Sequence, residues 1–214
     1  RYMLSQKPLT PAIEESRTQY NALTSDEKTL VTNYSTLEAA ETTLDTLVKE
    51  EKQNLLNEYL PKFDVNEDKV EGITWYMPKN EPQYINERCY VTAYVGVKGD
   101  EVWMCNRFNY TGDNWVFYNK IILSADGEKI EKDIGSFATT RDNGGGDVWE
   151  YYDEPLRINA DTDLEEIQFM AKIADAQDAI IRFKGNDYSY DYTVSSTDKQ
   201  MIRDAIELYR ALLP

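Results

Sequence analysis

The stretch from Tyr84 to Ile134 constrains the fold more than any other part of the sequence. Apolar and polar residues alternate along it, and turn-forming residues interrupt the alternation at 98–101, 111–114 and 125–128. Alternation with a period of two predicts half-buried β-strands, and the Gly-Asp and Asp-Gly pairs within these turns are typical of hairpins. The sequence therefore predicts an antiparallel meander in which each strand pairs with the next.

The three turns also predict which residues lie opposite one another. With tight hairpins, Val97 faces Val102, while a turn at 111–114 places Phe108 opposite Phe117 and Met104 opposite Ile121. The predicted core face contains Cys89, Val91, Ala93, Val95, Val97, Val102, Met104, Phe108, Phe117, Ile121, Leu123 and Ile130. The opposite face contains Tyr90, Tyr94, Trp103, Cys105, Arg107, Tyr118 and Lys120, which either pack under helices or meet a ligand.

The same register separates the two cysteines. It places Cys89 across from Tyr110 and Cys105 across from Tyr94, with their side chains on opposite faces of the sheet. A disulfide requires Cα atoms within about 7 Å and converging Cβ vectors. We therefore expect two free thiols.

Helix signals dominate the residues before this sheet. Thr10-Pro11 is typical of a helix start, Thr24 with Glu27 starts a short helix, and Ser35 or Thr36 starts a long one. Apolar residues recur at helical spacing in each segment. Residues 1–61 are therefore predicted to form a small helical bundle.

Several motifs in this region resemble a known family. They are Pro8-Leu9-Thr10, the run from Glu15 to Thr24, the run from Glu27 to Asn33, Leu37, and Ala39-Ala40-Glu41. This pattern, which covers roughly the first quarter of the chain, resembles the FIVAR-like helical repeats of large surface and secreted proteins of Gram-positive bacteria. The resemblance implies a spacer or ancillary module without catalytic residues.

The remaining residues, 62–214, are predicted to form an α+β domain. Residues 62–69 are predicted as a polar junction, 70–77 as a strand, and 148–152 and 156–158 as further strands. Residues 179–193 have the pattern of a hairpin in which Tyr188, Tyr190 and Tyr192 share one face. Two helices, one starting at Thr162 with Glu165 in a capping box and one starting at Ser195 or Ser196, are expected to pack on the mostly antiparallel sheet.

Composition excludes several functional classes. The chain of 214 residues contains no histidine, which excludes Ser-His-Asp, Cys-His and His-metal sites within it. Its formal net charge of -16 repels nucleic acid and anionic membranes. The longest apolar runs are too short for a transmembrane helix. Asn159, Asp161 and Asp163 have calcium-loop spacing, but Leu164 stands where such a loop needs glycine, so helix capping explains them better. We expect no metal and no cofactor.

Two further features concern the cellular location of the protein and the role of a glycine run. The chain contains 16 tyrosines and starts at Arg1 within an apparent element, so we expect an extracellular or cell-surface protein, such as a lipoprotein, whose signal or anchor lies upstream of Arg1. The triple Gly144-Gly145-Gly146 predicts a tight turn rather than a phosphate cradle, because no Lys-Ser/Thr follows it.

The functional expectation is a non-catalytic binding or adhesion module. Its candidate ligand contacts are the rings of Trp103, Trp149, Tyr151 and Tyr152, which could bind glycan or an extracellular protein or peptide. Two alternatives remain open from the sequence. One is a glycoside hydrolase that uses two of the carboxylates of Glu150, Asp153 and Glu154. The other is a structural spacer without a ligand, in which the rings form a second core layer.

Overall fold

The protein combines helices with two antiparallel sheets, which confirms the predicted α+β class. This computed structural model describes residues 9–135, 137–158 and 161–214. The chain divides into two compact units, residues 1–54 and 55–214. No helix within the described residues is both long enough and apolar enough to span a membrane.

Three helices begin within the described part of the first unit. They are Leu9–Ala22 (α1), Ser25–Lys28 (α2) and Tyr34–Tyr59 (α3), the last of which continues past the boundary between the units. The predicted helix start at Thr24 is confirmed at α2, where a capping box forms: the Thr24 hydroxyl accepts a hydrogen bond from the Glu27 N–H and the Glu27 carboxylate accepts one from the Thr24 N–H. This box satisfies N–H groups that the first turn of a helix leaves without partners.

Polar and aromatic contacts hold α1 to α3. Arg17 forms a bidentate ion pair with Glu41, and the rings of Tyr20 and Tyr34 stack with centroids 4.2 Å apart. No described residue of α3 is buried. The two helices are therefore joined by a polar and aromatic seam, and no side chain whose burial is described between residues 11 and 54 is buried.

Ten strands of the second unit form two sheets, preceded by a 3₁₀ turn at Leu60–Lys62. The strands are Phe63–Asp68 (β1), Ile73–Pro78 (β2), Tyr90–Lys98 (β3), Glu101–Gly112 (β4), Lys120–Ala125 (β5), Glu128–Asp133 (β6), Thr140–Gly144 (β7), Asp147–Leu156 (β8), Ala179–Lys184 (β9) and Ser189–Thr193 (β10). The first sheet has the order β1-β2-β3-β4-β8-β7 and the second β10-β9-β5-β6.

Two helices complete this unit, as the sequence predicts. Asp161–Asp175 (α4) packs on β5 and β8, and Ser196–Leu212 (α5) packs on β3, β4 and α4. Ser195 is the N-cap of α5 and accepts a hydrogen bond from the Asp198 N–H. The apolar stripe of α5, represented by Ile202 and Leu208, is fully buried. Such burial provides most of the stability of an amphipathic helix.

The register of the local hairpins is confirmed. Val97 lies opposite Val102 and Cys105 opposite Tyr94 in the β3–β4 pair, and Leu123 lies opposite Ile130 in β5–β6. The β9–β10 hairpin places Tyr190 opposite Phe183 and Tyr192 opposite Ile181. The triple glycine forms the tight β7–β8 turn, in which Gly145 and Gly146 have φ values of 67° and 103°. Glycine adopts such positive φ values without the steric cost that a Cβ imposes.

The predicted turn at 111–114 is wrong. β4 pairs with β8, so Phe108 lies opposite Tyr152 instead of Phe117, and Met104 lies opposite Leu156 instead of Ile121. The chain leaves β4 and crosses to the second sheet, where β5 pairs with β9. Phe117, assigned to the core by the sequence, is 55% exposed and has a φ of 52°. The cause is a long-range contact with Glu150, described below.

Three further boundaries differ from the prediction. The residues predicted as a polar junction contain β1, an edge strand whose charged side chains are compatible with exposure because only one side of the strand is paired. β2 begins at Ile73, and Val70 lies in the preceding turn. The predicted strand at 156–158 is the end of β8, which stops at Leu156.

At the start of α4, Asp161 is the first helical residue, so Thr162 lies inside the first turn instead of capping it. The Asp163 carboxylate accepts a hydrogen bond from the Arg157 N–H. This contact supports a structural role for Asp163 at the helix start. Asn159, part of the same predicted motif, lies outside the described residues.

The two cysteines are free, as predicted, and both are buried. Burial raises the pKa of the Cys105 thiol to about 12 and also raises the pKa of the Cys89 thiol. The Cys89 thiol is held at the backbone of Thr111, where it donates to the carbonyl oxygen and accepts from the N–H. Because the thiolate is the reactive form, both side chains are expected to be inert in the folded protein.

We predict that alkylation detects both thiols only after unfolding. Native protein at pH 8 should react slowly with iodoacetamide, whereas protein unfolded without reductant should incorporate two labels. Cys89→Ala and Cys105→Ala serve as matched controls and should each incorporate one. An unreduced protein that accepts no label after unfolding would contradict the register that separates the two strand positions.

Candidate functional site

Three of the four predicted ligand-contacting rings lie on one face of the six-stranded sheet. We call this the aromatic face and define it by Trp75, Tyr94, Trp103, Arg107 and Tyr151. Trp103 packs edge-on against Trp75 with centroids 5.4 Å apart, and Trp75 also contacts Tyr94. Strand alternation and pairing place Trp149 on this same side of the sheet.

A partly buried ion-pair network holds the aromatic face together. Arg107 donates two hydrogen bonds to Asp153, at 2.7 and 2.8 Å, and one to Glu81 at 3.1 Å. Its guanidinium also lies 5.5 Å from the Tyr94 ring centroid and 5.2 Å from that of Tyr151. Burial disfavours the charged guanidinium, but the hydrogen bonds to Asp153 and the two carboxylates raise the pKa of Arg107 overall.

The segment before β3 lies over part of this face. The Asn109 amide donates to the carbonyl oxygens of Ile85 and Arg88, and the Tyr90 hydroxyl donates to Glu81. Burial raises the pKa of Glu81. These contacts make the segment part of a packed layer over the sheet.

The four predicted rings therefore differ in accessibility. Trp103 is 6% exposed and is part of the packed layer, whereas Trp149 and Tyr151 are half-buried. Tyr152 is also half-buried but points to the opposite side, next to Phe108 in the β4–β8 register. A ligand contact at these rings stays a prediction.

The carboxylate of Glu150 is entirely buried, with 0% exposure, and forms a structural anchor. It accepts hydrogen bonds from the backbone N–H groups of Val116, Phe117 and Tyr118 at 2.8, 2.8 and 3.1 Å. Arg141 adds an ion pair at 2.9 Å. Four donors thus surround this carboxylate, which fixes the crossing segment between β4 and β5.

An open groove of about 460 Å³ lies between β10 and the start of α5. Its lining combines one guanidinium, one thiol, two phenols and three aliphatic hydroxyls, from Arg88, Cys89, Thr111, Tyr190, Tyr192, Ser195 and Thr197. We call it the tyrosine groove. A concave site with a few fixed polar groups and an aromatic wall is the usual form of a small-ligand site.

Asp198 holds the polar groups of the tyrosine groove in place. This carboxylate is fully buried and accepts hydrogen bonds from Arg88, from the Tyr192 hydroxyl and from the Val91 N–H. Burial, assisted by the hydrogen bond to Asp198, raises the pKa of Tyr192 to about 12. The Tyr192 phenol therefore stays protonated at neutral pH and the charge of Arg88 is neutralised locally.

Tyr190 provides the exposed ring of the groove. It is 42% exposed, and its edge packs on Tyr110 with centroids 5.1 Å apart. Tyr110 in turn contacts Phe183 in the core. An exposed ring that is supported from below is pre-positioned for stacking, because ordering it costs little conformational entropy.

Sequence reasoning found part of this groove. The alternation in β10 correctly placed Tyr190 and Tyr192 on one face, but no local signal connects Arg88 with Asp198, which is 110 positions away in the sequence. The sequence around Arg88 and Cys89 therefore does not predict that Arg88 pairs with the Asp198 carboxylate.

Comparison with known proteins gave no match to a family model, to a curated protein or to a solved structure. Within the described residues, His, Cys, Asp and Glu form no group of three or more that could hold a metal ion.

We predict that Glu150→Gln destabilises the second unit. The glutamine amide would place N–H donors against the backbone N–H groups that Glu150 now accepts from. It would also remove the negative charge that pairs with Arg141, and breaking such a buried pair costs about 3 kcal/mol. Chemical denaturation monitored by tryptophan fluorescence should show this loss. Glu101→Gln, at an exposed position of β4, is the matched control and should change stability by less than about 0.5 kcal/mol. Equal stability of the two variants would show that Glu150 does not anchor the crossing segment.

Proposed function

We propose that this protein is a non-catalytic binding or adhesion module of the cell surface or extracellular medium, and that it binds carbohydrate in the tyrosine groove. The observation that carries the proposal is the combination, in one open groove, of the exposed Tyr190 ring and a set of fixed hydroxyl groups. The extracellular location is supported by the resemblance of the helical unit to FIVAR-like repeats.

The chemistry of the lining suits a neutral sugar. Hydroxyl groups both donate and accept hydrogen bonds, as the hydroxyls of a sugar do, and the flat face of Tyr190 matches the C–H face of a pyranose. Because Asp198 neutralises Arg88, the groove offers a directed donor without a large positive field. A net charge of -16 further disfavours polyanionic ligands.

The carboxylates that could support hydrolysis are engaged in structural contacts. Glu150 is held by three backbone N–H groups and Arg141, Asp153 by Arg107, and Glu154 by Lys132. A general acid in a glycosidase must reach the glycosidic oxygen, and a nucleophile or base must reach the anomeric carbon or its water. These contacts favour binding over hydrolysis.

The open edge of β10 favours an extended peptide as a second candidate ligand. β10 is the terminal strand of its sheet, so the backbone groups on its outer side are available to a further strand. The Arg182–Asp191 ion pair places charged side chains on this hairpin. Charged side chains commonly protect edge strands from non-specific pairing with other strands. Peptide binding would therefore occur beside the tyrosine groove.

We predict that a glycan array detects binding and that Tyr190→Ala weakens it about tenfold or more, the loss expected for an aromatic stacking contact of about 1.4 kcal/mol. Tyr188→Ala is the matched control, because Tyr188 is exposed on the same hairpin but does not line the groove. This variant should bind as the wild type does.

Three outcomes would contradict the carbohydrate proposal. They are the absence of wild-type binding to any glycan, an equal loss in the two tyrosine variants, and turnover of a bound glycan. Binding to extended peptides alone, unaffected by Tyr190→Ala, would support the β10 edge instead.

A further inference from the structure

A polar cluster lies between the two sheets of the second unit, in an otherwise apolar core. Asn106 sits in β4 between Met104 and Phe108 on the inward-facing side and is 0% exposed. Neither its amide nitrogen nor its amide oxygen has a hydrogen-bond partner among the described residues. A buried amide without hydrogen-bond partners is destabilising and is rare in folded proteins, so this asparagine requires a chemical explanation.

A lysine from the second sheet reaches the same region. Lys132 of β6 lies opposite Ile121, which is buried, so its side chain starts from the inward face of that sheet. The Lys132 ammonium contacts the carboxylates of Glu154 on β8 and Glu166 on α4. One oxygen of each carboxylate is buried without a hydrogen-bond partner among the described residues.

Strand pairing brings the lysine to the asparagine. Asn106 and Glu154 are direct partners in the β4–β8 pair, so their side chains project from the same face with Cβ atoms about 4.5 to 5.5 Å apart. Glu154 holds the Lys132 amine. The amine of Lys132 and the amide of Asn106 therefore share one neighbour, the Glu154 side chain.

We propose that Lys132 and Asn106 form an intramolecular isopeptide bond. The Lys132 Nζ bonds to the Asn106 Cγ, the bond from Cγ to Nδ2 breaks, and Nδ2 leaves as ammonia. Of the two protons that the lysine ammonium loses, one goes to the leaving nitrogen, which departs as neutral ammonia, and the other stays on the carboxyl of Glu154. Atoms and charge balance without an oxidant, a cofactor or water.

The first step of this reaction requires a base in contact with the lysine. The nucleophile is the neutral amine, so the Lys132 ammonium first gives up a proton to a neighbouring group. Glu154 is 7% exposed and touches the reacting nitrogen, which makes it the general base. Glu166 holds the same amine from the helix side and positions it.

The isopeptide bond would explain why the Asn106 amide and an oxygen of Glu154 lack hydrogen-bond partners. The new bond replaces the two N–H donors of Asn106 with one N–H and keeps one carbonyl oxygen. The free oxygen of Glu154 is available to accept from that N–H, and a protonated carboxyl is available to donate to the carbonyl. The link would join β4 of the first sheet to β6 of the second covalently and would raise resistance to unfolding, as a cross-link does.

Intact-mass spectrometry of the unfolded protein tests this inference, because a covalent bond formed in the folded state is retained on unfolding. The wild type should be lighter than its sequence mass by one ammonia. Lys132→Arg keeps the positive charge but should retain the full mass, and Glu154→Gln should also retain it. Asn106→Asp should lose water instead of ammonia and reach the same final mass as the wild type. Peptide mapping should then find a cross-linked pair that contains positions 106 and 132.

Two results would overturn the proposal. One is a wild-type mass equal to the full sequence mass. The other is a cross-linked peptide that joins Lys132 to Glu154 or Glu166 with loss of water, because this assigns the bond to a carboxylate. Neither result bears on the tyrosine groove, whose test uses different residues.

Discussion

Glu150 accepts hydrogen bonds from the backbone N–H groups of three consecutive residues, 116–118, and forms an ion pair with Arg141. Phe117 has a left-handed backbone conformation within this segment, which costs free energy for a residue with a Cβ. The carboxylate supplies acceptors for N–H groups that would otherwise be buried without partners. The passage of the chain from the first sheet to the second depends on this contact, and so do the positions of β5 and everything that pairs with it.

The same contact explains where sequence reasoning succeeded and failed. Hairpins with short turns, such as the one at Gly99-Asp100, are encoded by neighbouring residues, and their register was predicted correctly. The residues at 111–114 contain an equally plausible turn signal, but the outcome there depends on an acid at position 150. A long-range hydrogen bond leaves no pattern in the local sequence, so the apolar alternation of β5 was assigned to the wrong sheet.

In the tyrosine groove, too, the sequence predicted the features that depend on neighbouring residues and missed those that depend on distant ones. The alternating tyrosines of β10 could be placed on one face from their spacing alone, whereas the buried Asp198, which orients Arg88 and Tyr192, comes from a different element. For the aromatic face, the sequence predicted the residues but not their burial. Its rings were identified from the sequence, but Trp103 is covered because the Trp75 ring and the Arg157 guanidinium pack against it. Exposure is a property of the assembled layers.

Amide hydrogen exchange at residues 116–118, followed by NMR, tests the central role of Glu150 most directly. In the wild type these three amides should be protected to nearly the same degree as the β3 and β4 amides, because each is buried or held by the carboxylate. In Glu150→Gln their protection should fall well below that of β3 and β4 while the sheet remains folded. Unchanged protection of the three amides in this variant would contradict the account, since the crossing segment would then be held by other contacts.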